Sequence, residues 1–322
     1  MAAKNRGRDL MRHIVALLLL LAAMPARAQP ISIVVPFPPG GLADVMARLV
    51  GEQLRERLGQ PVVIDNRPGA GGIVGARLVA GAAPDGTTLL LDASGHTVAP
   101  FLIRGLNFDY ASGFTPISHV MLIPQMLIVP PNSPYTSLPQ LLAAAKAAPG
   151  RITYGSSGNA SAPHIAAAVL VNRAGVEMTH VPYRGGGPAL QSLLAGDLDF
   201  VFATVASATA LARDGRVRAL AASSARRITA LPEVPTVAEQ GFPGYDQNEW
   251  NGLWGPAGLP AEAVQRLHAA CLHALADEAV KARLAALGAI GLGTTPAEFT
   301  AFLARDREAN AKLIRDARIT LD

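Results

Sequence analysis

The chain has 322 residues, 50% of them hydrophobic and 5% aromatic, with one cysteine. That length is ample for a large core and implies two domains, and a single cysteine excludes an intramolecular disulfide. The formal charge of +4 does not mark a nucleic-acid binder, because its excess sits in the first 28 residues.

Lys4, Arg6, Arg8 and Arg12 precede an apolar run at 14–23, and Ala26-Arg27-Ala28 follows as a small-x-small cleavage site. This is the pattern of a secretory signal peptide cleaved after Ala28, with translation starting at Met1 or Met11. The apolar run is too short for a membrane anchor. Removing Lys4, Arg6, Arg8, Arg12 and Arg27 with the one acid Asp9 leaves 23 basic and 23 acidic residues, a net charge of zero with histidine neutral. Export with so little cysteine fits a bacterial periplasm. Cys271 shares a predicted helix face with Val264, Leu267, His268 and Leu275, which reads as a buried apolar thiol.

The mature chain opens with an apolar strand, 31–35, stopped by Pro36. The loop Phe37-Pro38-Pro39-Gly40-Gly41 leads into a helix whose apolar face is Leu42, Val45, Met46, Leu49, Val50, Leu54 and Leu58. A strand at 61–64, a turn at 65–69, a helix at 71–82, a turn at 84–86 and a strand at 87–91 complete a βαβαβ order, which predicts a parallel sheet with right-handed crossovers. The segment 92–96, containing Ser94, reads as a loop at a strand end.

Residues 125–129 form another apolar strand, and Ser137 to Gln140 a capping box for a helix through Ala148. A similar strand-to-proline-to-helix passage recurs at 252–260, ahead of a helix at 262–277. The two strands read as a pair crossing between domains. They bracket strands at 152–154, 178–181, 198–202 and 217–222 and helices at 162–174 and 188–195. Thr295 to Glu298 forms a capping box on the last helix. The expected architecture is α/β: a discontinuous first domain, 29–130 plus 252–322, and an inserted second domain, 131–251. Two parallel-rich lobes on a two-strand hinge form a closing ligand trap.

Each lobe presents a strand, a glycine loop and a helix start. In the first, Gly40, Gly41, Leu42, Ala43 and Asp44 place backbone N–H groups at the positive end of a helix. In the second, Ser156, Ser157, Gly158 and Asn159 precede Ser161, an N-cap residue for the helix at 162–174. Each loop alone is equally a tight turn or a cap. The pair, one per lobe and outside the carboxyl ends of strands, points to an anion held in the cleft. Asp44 would repel an anion by contact, so its expected task is to order the loop or bound water. Phe37 is either core or a wall of the cleft, and Arg184 either a rim residue or a solvated one. Trp250 and Trp254 are expected to pack at the hinge.

Enzyme chemistry finds no support here. Gly155-Ser156-Ser157-Gly158-Asn159 is not G-x-S-x-G, and Val74 breaks the dinucleotide pattern at 69–75. The histidines show no metal spacing, so neither metal nor cofactor is expected.

Read in order, VPFPPGG, DNRPGAGG, AAPDGTTLL, YGSSGN followed by His164, VPYRGG and LPEVPTVAEQGFPGY resemble the Bug-type extracytoplasmic solute receptors, the binding components of tripartite tricarboxylate transporters. The resemblance implies a two-lobed type II periplasmic binding protein, monomeric, with a small organic carboxylate as ligand and the transporter's membrane subunits as partners. It implies ligand contacts from 40–44 in one lobe and 156–161 in the other. Two departures stand out: GGATD is common in the family where this chain has GGLAD, and Ala203-Thr204 stands where an acid or amide is frequent. Both predict a less polar pocket, suited to a monocarboxylate or an acid with an apolar or aromatic body. The alternative reading is a periplasmic sensor that presents its bound form to a membrane kinase.

Overall fold

The computed structural model describes residues 29–316, so the signal-peptide reading lies outside the described residues. Two sheets organise the chain. The first takes β1 (Ile31–Val35), β2 (Val62–Asn66), β3 (Thr88–Ala93), β4 (Phe114–Ile123), β10 (Glu249–Pro256) and β11 (Ile290–Gly291), in the order β11-β4-β10-β3-β1-β2. The second takes β5 (Gln125–Val129), β6 (Thr153–Ser156), β7 (Thr179–Pro182), β8 (Phe200–Thr204) and β9 (Arg218–Ala222), in the order β7-β6-β8-β5-β9. β1 lies parallel to β2 and β3, and β6 parallel to β7 and β8. β10 runs antiparallel between β3 and β4, and β5 antiparallel between β8 and β9.

Strands covered on both faces are mostly apolar, and β1 reads Ile-Ser-Ile-Val-Val, with every residue but Ser32 fully buried. Ile31, Ile33 and Val35 face helix α1 (Leu42–Leu58), whose Met46, Ala47, Val50 and Leu54 are fully buried. Val34 faces the other way, towards Ala76 of α2 (Ile73–Ala80), Trp254 and Phe299. Each such aliphatic side chain contributes roughly 1.5–3 kcal/mol on burial. In the second lobe, α4 (Leu138–Ala147) and α5 (Ala162–Ala174) cover one sheet face. On the other lie α6 (Gly186–Ala195) and α7 (Val205–Arg213). The first lobe is completed by α3 (Gly95–Leu102), α8 (Ala261–Ala276), α9 (Glu278–Ala286) and α10 (Pro296–Asp316).

The crossings between lobes differ from the sequence reading. Residues 125–129, read as part of the first domain, form β5 of the second sheet, hydrogen-bonded to β8 and β9. The first crossing is therefore Pro124, between β4 and β5. The second precedes Glu249, since β10 pairs with β3 and β4 along its length. Ser223 ties the crossings together. Its Oγ accepts the Gln125 N–H at 2.8 Å, its N–H donates to the Gln125 carbonyl at 2.8 Å, and its carbonyl accepts from Gln247 at 2.9 Å.

Several elements depart from expectation, among them α7 and α9, which the sequence reading leaves unassigned. β4 is a ten-residue strand that the sequence reading leaves unassigned. Residues 95–102 are helical, where a loop was expected at 92–96. The Ser137 capping box is split: Ser137 Oγ accepts the Gln140 N–H at 3.5 Å, while Gln140 Oε1 accepts from Thr136 instead. The Thr295 box is reciprocal, with Glu298 accepting the Thr295 N–H and Thr295 Oγ1 accepting the Glu298 N–H. Cys271 is fully buried, and burial pushes its thiol up to about 12. Trp254 and Trp250 are packed in the first lobe with Phe299, which accounts for them as core.

Candidate ligand-binding site

The first loop is held from beneath by one carboxylate. Asp44, only 3% exposed, accepts the Gly40 N–H on Oδ2 at 2.9 Å and the Asn66 amide on Oδ1 at 3.1 Å. Arg48, one turn along α1, donates to Oδ2 at 3.0 Å and pairs with Oδ1 at 3.0 Å. Arg48 holds the Asp44 carboxyl below the usual carboxylate range, helped by Gly40 and Asn66 and opposed by burial. Asn66, at the end of β2, also donates to the Phe37 carbonyl at 3.2 Å. Gly40 adopts φ +84°, open to glycine without strain.

The Gly40 N–H is thus spent inside the protein. The donors left at this helix end belong to the residues that follow. Among the described residues no side chain caps α1, and its first internal bond runs from the Val45 N–H to the Gly41 carbonyl. The N–H groups of the first turn, Leu42, Ala43 and Asp44, therefore have no partner within the helix. Phe37 and Leu42 are half-buried against the first-lobe core. The Ala43 methyl is itself in that core, so what Ala43 offers a ligand is its backbone.

Ser94 ends the same sheet edge. It precedes α3 at the carboxyl end of β3, next to β1, and its carbonyl accepts from the Thr97 N–H and hydroxyl. The same Thr97 hydroxyl lies 2.6 Å from Asp306 of α10, so its single proton is shared between the two acceptors.

The second loop is built on its own histidines. β6 ends at Ser156, which is 1% exposed. Its Oγ donates to the Gly158 carbonyl at 2.9 Å, accepts the Gly158 N–H at 3.2 Å and lies 2.7 Å from His180 Nε2. Ser161 stands at the N-cap of α5, but its hydroxyl donates to the Gly158 carbonyl at 2.7 Å rather than accepting from the helix. Here too, among the described residues, no side chain caps the helix. Pro163 removes one N–H, leaving those of Ala162 and His164 in the first turn. Asn159 is half-buried in the loop.

Ala203 packs on the α6–α7 side of the second sheet, and Thr204 Oγ1 donates to Ser207 at 3.2 Å at the start of α7. Both stand at the carboxyl end of β8, two strands from β7 and beside β6.

An apolar contact joins α3 and α10 of the first lobe to α5 of the second. Val98 of α3, Ile165 and Ala168 of α5 and Leu313 and Ile314 of α10 form one cluster, with Leu102 and Ala160 packed against it. Ala160 belongs to the 156–161 loop, and α3 rises from the strand end beside the 36–41 loop. Gly288, after α9, lies so close to Val205 of α7 that a Cβ would stand 2.9 Å from it.

Arg48, Asn66, His180 and Ser223 are among the residues that sequence reasoning missed. The Ser156–His180 contact resembles a nucleophile and base, yet Ser156 is enclosed and burial pushes His180 down to about 4. Among the described residues no group of three or more His, Cys, Asp or Glu could hold a metal ion.

Residues 46–318 match the family described as Tripartite tricarboxylate transporter family receptor, TctC. The chain belongs to that family. This TctC receptor shares 32% identity with the periplasmic binding protein BugD over 91% of its own length and 99% of BugD, with a TM-score of 0.77. It is 32% identical to Rpa4515 of R. palustris, solved with adipate, covering 92% and 99% of the two chains at a TM-score of 0.79. It is 31% identical to MatC of Rhodopseudomonas palustris, solved with malate, covering 90% and 100% at a TM-score of 0.76. The TctC receptor is a two-lobed solute-binding protein and not an enzyme.

Proposed function

We propose that this receptor binds a small carboxylate between its lobes and delivers it to the membrane subunits of a tripartite tricarboxylate-type transporter. It does so in the periplasm, after cleavage behind Ala28, as a monomer. The proposal includes a division of the chain into a discontinuous first lobe and an inserted second lobe that close on the ligand. The observation that carries it is the start of α1: a helix end with no side-chain cap, reached through two glycines, on a loop that Asp44 fixes in place. Peptide dipoles aimed at one point favour a negative group there.

The carboxylate is held by the N–H groups of Leu42, Ala43 and Asp44. Ser94 lies at the neighbouring strand end. Across the cleft, Asn159 and the first turn of α5 complete the grip, with Gly158 and Ser161 shaping that loop. Phe37, Leu42 and Ala203 offer apolar surface, which favours an acid with an apolar body over citrate. Adipate and malate in Rpa4515 and MatC support carboxylate as the ligand class. A thermal-shift screen over small carboxylic acids tests this. A ligand at 100 times its Kd stabilises by about 2.7 kcal/mol. A response to apolar-bodied acids such as adipate is expected; a response to free citrate alone contradicts the ligand class.

A further inference from the structure

The loop at 156–161 contains a residue in an unfavourable conformation. Ala160 sits at φ 62°, the left-handed region that L-residues other than Asn and Asp seldom enter. What holds it there is a hydrogen bond from its N–H to His164 Nδ1 at 3.0 Å. His164 is the third residue of α5, the position from which a glutamate reaches back in a capping box. Here an imidazole reaches one residue further back, to the Ala160 N–H ahead of the Ser161 N-cap, and its Nδ1 must be unprotonated to accept.

The ring is held neutral by its surroundings. His164 stacks on His180 of β7 with centroids 3.9 Å apart and planes 5° from parallel, and Tyr154 of β6 lies behind them, 5.0 Å from His180. Two imidazolium ions could not share that spacing. Burial, with His180 adding to it, pushes His164 down to about 3. Among the described residues, the titratable rings beside His164 are His180 and Tyr154; burial pushes His180 down to about 4, and a tyrosine is neutral at pH 7.

A glutamate at this position is the ordinary capping-box residue, but it would leave a negative charge at the helix end where an anion docks. The other lobe solves the same problem differently, since Asp44 orders its loop while paired with Arg48. We propose that His164, backed by His180, is a positioning residue: an uncharged acceptor that fixes the second loop while keeping negative charge away from the bound carboxylate. The proposal rests on the carboxylate reading given above.

Two near-isosteric variants separate charge from structure. His164→Gln keeps an uncharged acceptor, and His164→Glu supplies the same reach with a charge. With adipate as the probe in isothermal titration, His164→Gln is expected to bind within about threefold of the parent, and His164→Glu about tenfold or more weaker, a factor set by an unscreened like charge near the site. Both are expected to unfold at similar temperatures. Equal affinity of the two variants overturns the proposal. Nitrogen NMR of the ligand-free protein gives a second, independent readout. His164 is expected to be neutral with Nδ1 unprotonated at pH 6, and the Ala160 amide to exchange slowly in the parent and fast in His164→Leu. An imidazolium at pH 6, or unchanged Ala160 exchange, overturns the proposal. Failure of the parent to bind any carboxylate, with these NMR signatures intact, sinks the carboxylate reading and with it the charge-exclusion role, and leaves His164 only its part in fixing the loop.

Discussion

Asp44 accepts the backbone N–H of Gly40 at 2.9 Å, so the acid in the first turn of α1 is turned into its own loop. Its charge is further offset by Arg48. Replacing it with asparagine removes a negative charge, which by itself strengthens anion binding, but also loosens the contacts with Gly40, Asn66 and Arg48. The loop's order is expected to dominate. Asp44→Asn should weaken adipate binding by about tenfold, the worth of a charge-assisted hydrogen bond. Tighter binding in calorimetry would show that charge dominates instead.

The crossings offer a second test. Ser223 is fully buried, and its hydroxyl is the acceptor for the Gln125 N–H at the hinge. Ser223→Ala leaves that N–H buried and unpaired, at a cost of about 1–3 kcal/mol. Urea denaturation should show the loss in the midpoint with an unchanged slope. No change would mean that Gln125 finds another partner.

Packing behind the cleft is equally specific. A Cβ on Gly252 would collide with the Phe299 ring and approach Trp254 Cη2 to 2.7 Å. Both rings are fully buried and have nowhere to move. Gly252→Ala is expected to destabilise by about 1–3 kcal/mol through overpacking, read from the thermal midpoint.

Acid should weaken the fold early. Burial lowers His119 to about 4, His164 to about 3 and His180 to about 4 from an ordinary value of 6.5. With their folded values depressed, these histidines stay neutral in the native state while the unfolded chain takes up protons. Stability is therefore full above about pH 6.5 and lost as pH falls towards about 4. His119 packs on Phe299 and Phe302 with Nε2 unpartnered, so His119→Phe should flatten the profile between pH 6.5 and 5 without loss at pH 8. A profile unchanged in that variant would contradict the assignment.

How much of this was readable beforehand follows from distance along the chain. The stretch 31–58 declares itself locally, through an apolar run, prolines, two glycines and a helical period. β4 does not: Pro116, Ser118 and His119 interrupt its pattern, and Pro124 alone divides it from β5. α3 is hidden by an opening glycine and by Pro100 within it. The supports of the two loops join residues far apart in sequence, Asn66 to Asp44 across 22 positions and His180 to Ser156 across 24. Pairings of that kind are set by strand order, which no local pattern encodes. Ser161 shows the converse limit, since its position as N-cap was legible but its hydroxyl bonds to Gly158.

The most direct measurement is a crystal structure of the receptor with adipate. One carboxylate should lie within hydrogen-bond reach of the Leu42 and Ala43 N–H groups, with the 156–161 loop closing from the other lobe. A carboxylate seated instead on Arg48 or Arg184, or outside the interlobe region, would contradict the account.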